Sequence, residues 1–384
     1  MSALELALQR NKYKHLSDDE WRWFLQQVEG KERTADKLPT FAAIKDWWYP
    51  VRLSCEQCSS ELTAKYKASI VNQIFNRQSI VNRQSSNRQL LDLTAGYGVD
   101  TYFLSEQFER TDYVEQNAEL CRIATHNFVD KPITIHNTTA EEFIASAGQY
   151  DLVFADPARR DSHGGKVFRL EDCTPNVVEL LPQLLKHSKR LLFKLSPMLD
   201  ITQALNALSA VSWDVHVVAV KNEVKEVLLL SGGSGTITAI DLDKKDQVFV
   251  FTKEEEHASQ MRKCENEKIG KYLYEPNAAI LKAGAYKLVA QRFGLQKLDV
   301  NTHLYASDTL VENFPGRVWK VKAKGERLEA KGQANILTRN YPLTPEQLKK
   351  KLHLRDGGTA FVIGCRVNGK PTLFYATRVN GLTL

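Results

Sequence analysis

The middle of the chain alternates apolar strands with helical segments, and this alternation restricts the fold more than any other feature. Between residues 89 and 230 it predicts a parallel sheet covered by helices, which is an α/β fold. The predicted strands are 89–93, 111–115, 132–136, 150–155, 189–195, 213–220 and 223–230. The predicted helices lie near 99–108, 117–129, 140–146, 173–187 and 200–209.

The last two predicted strands are separated only by Lys221 and Asn222. A parallel crossover needs a dozen or more residues, so these two strands must pair as an antiparallel hairpin. The predicted sheet therefore has seven strands and ends in a hairpin. A nicotinamide-binding Rossmann sheet continues in parallel instead, so the pattern disfavours that class.

The regions on either side of this sheet differ from it in pattern. Residues 1–75 are predicted to be helical, with a capping box at Ser17–Glu20, and a polar loop with three Asn-Arg-Gln repeats follows at 76–89. Residues 272–384 are predicted to form one or two small α+β units. Their predicted helices are 276–293 and 344–352, and their predicted strands are 317–322, 333–338, 359–367 and 371–378, the last two joined at Asn368-Gly369.

Composition sets the broad class of the protein. A chain of 384 residues with a hydrophobic fraction of 43% is long enough for two or three globular domains. No apolar run approaches the roughly 20 residues of a membrane span, and the N-terminus lacks the pattern of a signal peptide. Six scattered cysteines are typical of free thiols, so we expect a cytoplasmic protein without membrane contact. The sequence does not specify an oligomeric state.

Charge is distributed unevenly along the chain. Residues 261–384 hold 22 lysines and arginines against 10 acidic residues, whereas residues 1–260 hold 30 against 36. A basic region joined to a mildly acidic one is consistent with a polyanion-binding module attached to a catalytic module. The alternative is a solvated basic surface with no ligand.

A glycine-rich turn follows the first predicted strand, in the segment from Leu90 to Asp100. Gly96 and Gly98 allow a tight turn against which a ligand can lie on bare backbone, and the next helix begins there with free N–H groups. Asp92, at the strand tip, is placed to accept a hydrogen bond from a cofactor ammonium, directly or through water. The third glycine of a dinucleotide-binding fingerprint is replaced by Thr101, which argues against NAD or FAD.

Polar residues end the next two predicted strands. Glu115 lies 19 residues after Gly96, a spacing at which a carboxylate reaches two ribose hydroxyls. The alternative is a strand-end carboxylate that faces water. Thr139 and Ala140 follow the third strand, where they can meet the amino edge of an adenine or simply cap a helix.

The fourth predicted strand ends in Asp156-Pro157, at the edge where open α/β sheets bind ligands. Asp156 is therefore a candidate to orient an acceptor or to take its proton. Arg159 and Arg160 follow and can grip phosphate or carboxylate in bidentate fashion. The alternatives are an aspartate that caps the next turn and two solvated arginines.

Together these motifs resemble those of class I S-adenosylmethionine (SAM)-dependent methyltransferases, over about residues 86–235. The stretches 56–67, 156–160, 194–200, 338–343 and 355–358 further resemble the bacterial family of these enzymes that carries a THUMP-like domain. The resemblance implies a Rossmann-like methyltransferase sheet at 86–235 after an N-terminal helical region at 1–85. It also implies a linker and ferredoxin-like unit at 236–316 and a THUMP-like domain at 317–384.

The resemblance also implies roles for individual residues. Thr94 and Asp100 belong to the cofactor motif with Asp92, Gly96 and Gly98, whereas Lys194 and Ser196 lie in a motif on the substrate side. THUMP domains proper bind RNA, so the predicted activity is methyl transfer from SAM to RNA, either tRNA or rRNA. The alternatives are an RNA-binding protein with a vestigial SAM site and a methyltransferase for small molecules.

Departures from related enzymes narrow the predicted chemistry. Amine-methylating relatives carry a second proline and an aromatic residue where this chain has Ala158 and Arg159, which puts base N-methylation in doubt. No cysteine follows the fourth or fifth strand closely, which disfavours a covalent intermediate. Cys55 and Cys58 form a single pair without a partner pair, so no metal is expected.

Overall fold

The computed structural model describes residues 3–81, 87–159, 169–244, 247–264, 269–322 and 332–379. The chain forms two compact units. Unit 1 comprises Met1–Trp213 and Leu228–Gly232, and unit 2 comprises Asp214–Val227 and Gly233–Leu384.

Unit 1 begins with five helices: α1 (Ala3–Ala7), α2 (Asp18–Thr34), α3 (Pro39–Ala43), α4 (Arg52–Gln57) and α5 (Glu61–Val81). The predicted capping box at the start of α2 is confirmed, because Ser17 Oγ accepts from the Glu20 backbone N–H and the Glu20 carboxylate accepts from that of Ser17. The loop predicted at 76–89 is wrong in its first part, because α5 continues to Val81 and contains the first Asn-Arg-Gln repeat. The second repeat lies outside the described residues, and the third, at 87–89, leads into β1.

The sheet of unit 1 is built from alternating strands and helices. They are β1 (Gln89–Asp92), α6 (Val99–Ser105), β2 (Arg110–Val114), α7 (Ala118–Asn127), β3 (Ile133–His136), α8 (Ala140–Ala145), β4 (Leu152–Ala155), β5 (Ala158–Arg159), β6 (Cys173–Thr174), α9 (Val177–His187), β7 (Leu191–Leu195) and α10 (Ile201–Ala207). The larger strands lie in the order β7-β4-β1-β2-β3 and pair in parallel, while β5 and β6 form a separate antiparallel pair.

A hydrophobic core joins the N-terminal helices of unit 1 to the first half of its sheet. Aromatic side chains from both regions pack together, and Trp47 Nε1 donates to the Tyr97 hydroxyl at 2.7 Å. Phe41 and Phe128 are almost completely buried in the same core. The N-terminal helices are therefore anchored beside the turn that follows β1, where the sheet places its ligands.

The predicted hairpin is present as β8 (Trp213–Val220) and β9 (Glu223–Ser231), which are neighbours in the sheet. Lys221 and Asn222 both have positive φ, as a two-residue hairpin turn requires. Residues 228–231 of β9 belong to unit 1, on the β7 side of its sheet.

Unit 2 extends the strand order beyond the seven predicted strands. Strand β10 (Thr236–Asp241) pairs in parallel with β8, and β11 (Val248–Thr252) pairs antiparallel with β10. The segment at 231–235 connects β9 to β10. The predicted α/β fold class, with helices alternating with parallel strands, is confirmed.

The remainder of unit 2 is an α+β region. It consists of α11 (Lys253–Ala258), β12 (Tyr272–Pro276), α12 (Ala278–Ala283), α13 (Lys287–Arg292), β13 (Gln296–Lys297), β14 (Tyr305–Ser307), β15 (Gly316–Val321), β16 (Asn335–Arg339), α14 (Pro345–Lys351), β17 (Ala360–Val367) and β18 (Lys370–Arg378). Its seven strands lie in the order β13-β14-β12-β15-β18-β17-β16. The predicted hairpin at Asn368-Gly369 is confirmed, because both residues have positive φ between β17 and β18.

The single helix predicted over 276–293 is wrong. Gly284 has φ +85° and ends α12, and α13 starts three residues later, so the segment forms two short helices. Glycine ends helices in this left-handed conformation because it has no Cβ to clash with the backbone. Within the described parts of the chain, no helix combines the length and the apolar character that a membrane span needs.

Candidate active site

A cavity of about 600 Å³ lies in unit 1, at the carboxyl ends of β1, β2, β4 and β7. Parallel α/β sheets bind ligands at this edge, and the volume falls in the usual range for small-molecule and cofactor sites. Its lining includes Ser54, Gln57, Cys58, Ser59, Thr94, Gly96, Tyr97, Gly98, Asp100, Glu115, Gln116, Leu120, Thr138, Thr139, Ala140, Glu141, Asp156, Thr174, Pro175 and Lys194.

The glycine turn after β1 forms one wall of the cavity. Gly96 has φ +57° and Gly98 has φ +81°, both in the left-handed region. A Cβ on Gly98 would lie 2.6 Å from Phe128 Cζ, so only glycine lets the turn pack on this buried ring. A Cβ on Gly96 would meet nothing closer than the Thr94 carbonyl oxygen at 3.9 Å. Gly96 therefore presents bare backbone beside open space, as the sequence predicted for a ligand contact.

Glu115, directly after β2, faces the glycine turn. Its Oε2 accepts from the Gly96 backbone N–H at 3.0 Å, and its Oε1 accepts from the Asn117 backbone N–H at 2.7 Å. Each carboxylate oxygen retains a further lone pair. The carboxylate is thus fixed at the cavity wall with one oxygen available to each of two hydroxyl donors.

Asp92 lies beneath the turn and does not line the cavity. It is completely buried, its Oδ1 accepts from the Thr94 backbone N–H at 3.1 Å, and its Oδ2 accepts from Thr101 Oγ1 at 2.6 Å. Burial raises the pKa of Asp92 to about 7, although both hydrogen bonds act to lower it. The threonine that replaces the third fingerprint glycine therefore anchors the carboxylate that braces the turn.

Thr94 and Thr139 connect the strand tips to their neighbours. Thr94 Oγ1 accepts from the Asp156 backbone N–H at 2.6 Å, which ties the tip of β1 to the tip of β4. Thr139 caps α8 in a full capping box with Glu142, and together with Ala140 it also lines the cavity. The helix cap predicted as one alternative for Thr139 is confirmed, and contact with an adenine stays a prediction for this lining residue.

Three charged side chains of the cavity lining, Asp100, Asp156 and Lys194, lie close together. Lys194, from β7, makes an ion pair with Asp156 Oδ2, and its Nζ lies 4.0 Å from Asp100 Oδ2. Lys194 keeps 14% of its side chain exposed and Asp156 keeps 36%, so this pair is accessible from the cavity. Asp100 is more deeply buried and accepts from Ser59 Oγ at 2.6 Å.

The N-terminal helices also contribute to this cavity, through residues that the sequence analysis did not name. Ser54, Gln57, Cys58 and Ser59 line it, from α4 and the loop after it. The resembling stretch at 56–67 was the signal that could have indicated them. Burial raises the pKa of the Cys58 thiol, with Lys37 acting in the opposite direction, so the thiol is not activated as a nucleophile.

Several predicted residues lie elsewhere. Pro157 is buried, and Ser196 Oγ accepts from the Met198 backbone N–H outside the cavity lining. The side chain of Arg159 and all of Arg160 lie outside the described residues. Cys55 and Cys58 are free thiols, and the described residues contain no group of three or more metal-ligating side chains.

Comparison with known proteins agrees with this architecture. Residues 272–315 match a family described as a ferredoxin-like domain, and residues 310–378 match one described as THUMP domain-like. An uncharacterized S-adenosylmethionine-dependent methyltransferase of Mycobacterium tuberculosis, found in strains CDC 1551 and H37Rv, is 23% identical over 373 residues. That alignment covers 92% of this chain and 95% of the relative.

The solved structures include one that aligns along nearly the whole molecule. The crystal structure of a presumed methyltransferase from Porphyromonas gingivalis W83 is 31% identical, with a TM-score of 0.80, and the alignment covers 95% of this chain and 92% of that one. The fold and the cavity define a class I methyltransferase. The chain belongs to the family of SAM-dependent methyltransferases that carry a THUMP-like domain.

The chain is therefore a SAM-dependent methyltransferase, and its cavity fits this cofactor. Gly96 leaves room for close approach to the backbone, and Glu115 offers oxygens to a pair of hydroxyls. The volume of about 600 Å³ is adequate for a molecule of this size.

Proposed function

We propose that the chain transfers a methyl group from SAM to a nucleophile in RNA, either tRNA or rRNA. The observation that carries this proposal is the combination of a methyltransferase cavity with a strongly basic, THUMP-like region in one chain. The four predicted regions, 1–85, 86–235, 236–316 and 317–384, remain our proposal for the domain organisation.

In this proposal the cofactor is held by one side of the cavity, which we call the cofactor side and define as Gly96, Gly98 and Glu115. Glu115 accepts from the ribose hydroxyls, and the two glycines let the backbone approach. Thr139 and Ala140 border the adenine. Thr94 and Asp92 support the pocket, Asp92 from beneath the turn through its bonds to Thr94 and Thr101. Asp100, predicted as part of the cofactor motif, lies beside Lys194, and we assign it to the acceptor side.

A second part of the lining, which we call the acceptor side, is defined as Asp100, Asp156 and Lys194. SAM supplies an electrophilic methyl group on a positively charged sulfur, so the protein needs chiefly to position the acceptor and to accept its proton. Asp156 is the catalytic candidate for both tasks, and Pro157 fixes the backbone behind it. Lys194 holds the Asp156 carboxylate, and Arg159, Arg160 and Ser196 are proposed to contact substrate nearby.

The described residues of unit 2 offer a place for an RNA phosphate. Glu275 is almost completely buried and pairs with two arginines, Arg317 and Arg339, whose side chains are 30% and 40% exposed. A buried carboxylate fixes both guanidinium groups and leaves their outer N–H groups available to a phosphate. We propose that these arginines contact the RNA backbone, which carries affinity but not sequence specificity.

The test is to incubate the protein with labelled SAM and total RNA from a strain in which its gene is deleted, and to map the label by mass spectrometry. Incorporation at one nucleotide supports the proposal, and RNA from the undeleted strain, already methylated, should accept little. Calorimetric titration with SAM runs in parallel. Salt-dependent RNA binding without incorporation would indicate a vestigial site, and labelling of small molecules without RNA would indicate the third alternative.

A further inference from the structure

Lys67, in α5, is a second lysine near the cavity, and the sequence did not single it out. Its side chain is completely buried, its Nζ lies 3.1 Å from Asp100 Oδ1, and it lies 3.5 Å from Ser59 Oγ. A buried lysine is retained in its charged form only when partners compensate the loss of water. The α5 helix therefore inserts a charge directly behind the wall of the cavity.

Asp100 connects this buried lysine to the acceptor side. Its carboxylate lies between Lys67 and Lys194, and Lys194 in turn pairs with Asp156. Positive and negative groups thus alternate over four positions, each on a different element. Burial acts to raise the pKa of Asp100, but Lys67, Lys194 and the Ser59 hydrogen bond outweigh it, so the pKa is lowered and Asp100 stays ionised.

The charge of Lys67 determines which carboxylate Lys194 pairs with. An ionised Asp100 without Lys67 would have Lys194 as its nearest cation and would draw it inward, away from Asp156. In the parent protein, Lys67 already neutralises the charge of Asp100. Lys194 can then lie 4.0 Å from Asp100 while it pairs directly with Asp156 at the cavity.

We propose that Lys67 is a positioning residue for methyl transfer: it neutralises Asp100 and so leaves Lys194 to hold Asp156 toward the acceptor. The proposal depends on the acceptor role of Asp156 given above. It assigns the N-terminal helical region a part in the chemistry, in addition to its part in the cavity wall.

The first experiment compares the parent with Lys67→Met, which keeps most of the length of the side chain and removes its charge. A crystal structure of the variant should show Lys194 Nζ moved from Asp156 to Asp100, and SAM affinity by calorimetry should stay within about threefold. The single-turnover rate on RNA should fall about tenfold or more, because misplacement by 1 Å is enough for such losses. An unmoved Lys194–Asp156 pair would overturn the proposal whether or not RNA is the substrate.

A second variant separates positioning from folding. Lys67→Met combined with Asp100→Asn removes both buried charges, so Lys194 again has Asp156 as its nearest carboxylate, and a crystal structure of the double variant should show this pair restored. A double variant in which Lys194 stays away from Asp156 would overturn the proposal. If the single variant is too unstable to crystallise, the double variant still tests the same Lys194–Asp156 pair.

The matched control is Lys189→Met. Lys189 pairs with Asp151 at 2.8 Å in the same unit, but its side chain is 76% exposed and does not line the cavity. Its removal should change neither SAM affinity nor the methyl-transfer rate. A rate loss equal to that of Lys67→Met would show that any lysine of this unit has the same effect, and would overturn the proposal.

Discussion

The cofactor side of the cavity is held by backbone, whereas the acceptor side is held by charge. Gly96, Gly98 and Glu115 come from one β-α-β segment, and the glycine turn is fixed by main-chain hydrogen bonds and by packing on Phe128. Asp100 lies in the helix of that same segment, whereas Asp156 and Lys194 come from two other parts of the sheet, and these three side chains are held by ion pairs. In the proposed function, the local geometry of the turn therefore governs cofactor binding, and ion pairs between residues distant in sequence govern how the acceptor is placed.

The largest effect that this comparison predicts comes from a substitution in the glycine turn. Gly98→Ala places a Cβ within 2.6 Å of Phe128 Cζ and requires φ +81° of an alanine, so we expect a stability loss of about 2–4 kcal/mol and a SAM affinity at least tenfold lower. Gly96→Ala has the same kind of φ but open space, so it should cost less than half as much stability. Urea unfolding and calorimetry measure both variants.

Gly148→Ala is the control for these variants, because a Cβ there meets nothing within 4 Å and its φ is not positive. Equal stability losses at Gly98 and Gly96 would contradict the role of Phe128. Unchanged SAM affinity in both variants would show that the turn does not bind the cofactor.

The same contrast explains what the sequence could predict. Strands β1, β2, β4 and β7 were predicted to within two residues at each end, because short apolar runs between helices are encoded locally. The glycine turn and Glu115 were found from spacing alone and both line the cavity. Strand β10 was missed because its position beside β8 depends on pairing with a distant partner, not on its own pattern.

The charged residues of the acceptor side show what could not be predicted from the sequence. Lys67 lies in a polar helix, where a lysine normally indicates a solvated face, yet it is completely buried. No local pattern indicates that Lys67 pairs with Asp100, which lies 33 positions further along the chain. Asp92, predicted to meet the cofactor, lies beneath the turn because Thr101 and Thr94 occupy its oxygens.

On the acceptor side, we expect Asp156→Asn to lower the methyl-transfer rate about 100-fold while SAM affinity stays within threefold. The amide can neither take a proton nor pair with Lys194, so acceptor positioning fails but the cofactor pocket is intact. Single-turnover kinetics and calorimetry test the two halves of this statement. Asp130→Asn, on the exposed surface of the same unit, is the control. A matching loss of SAM affinity would remove the distinction between the two sides.

On the cofactor side, we expect Glu115→Gln to lower SAM affinity more than it lowers the methyl-transfer rate. Replacing a charged acceptor by an amide weakens hydrogen bonds worth about 1.5–3 kcal/mol, so SAM affinity should fall about 10- to 100-fold. The rate at saturating SAM should change much less. Glu119→Gln removes an exposed pair with Arg122 on α7 and should leave both quantities unchanged. If Glu115→Gln binds SAM as the parent does, the ribose role of Glu115 is wrong.

The smallest predicted effect on cofactor binding and methyl transfer concerns Asp92, which belongs to the brace beneath the cofactor side. Because the pKa of Asp92 is raised to about 7 from 3.8, the folded chain holds a proton between pH 4 and 7 that the unfolded chain has released. Stability must then fall as pH rises through this window, by at most about 1.4 kcal/mol per pH unit. Asp92→Asn should remove this slope, measured as the urea midpoint at several pH values, while Asp19→Asn, on the surface, should keep it.

The glycine turn should keep its conformation in Asp92→Asn, because the Asn side-chain carbonyl can still accept from the Thr94 backbone N–H. If Asp92→Asn keeps the slope of the parent, another group titrates in this window, and the brace beneath the turn is not the origin of the pH dependence.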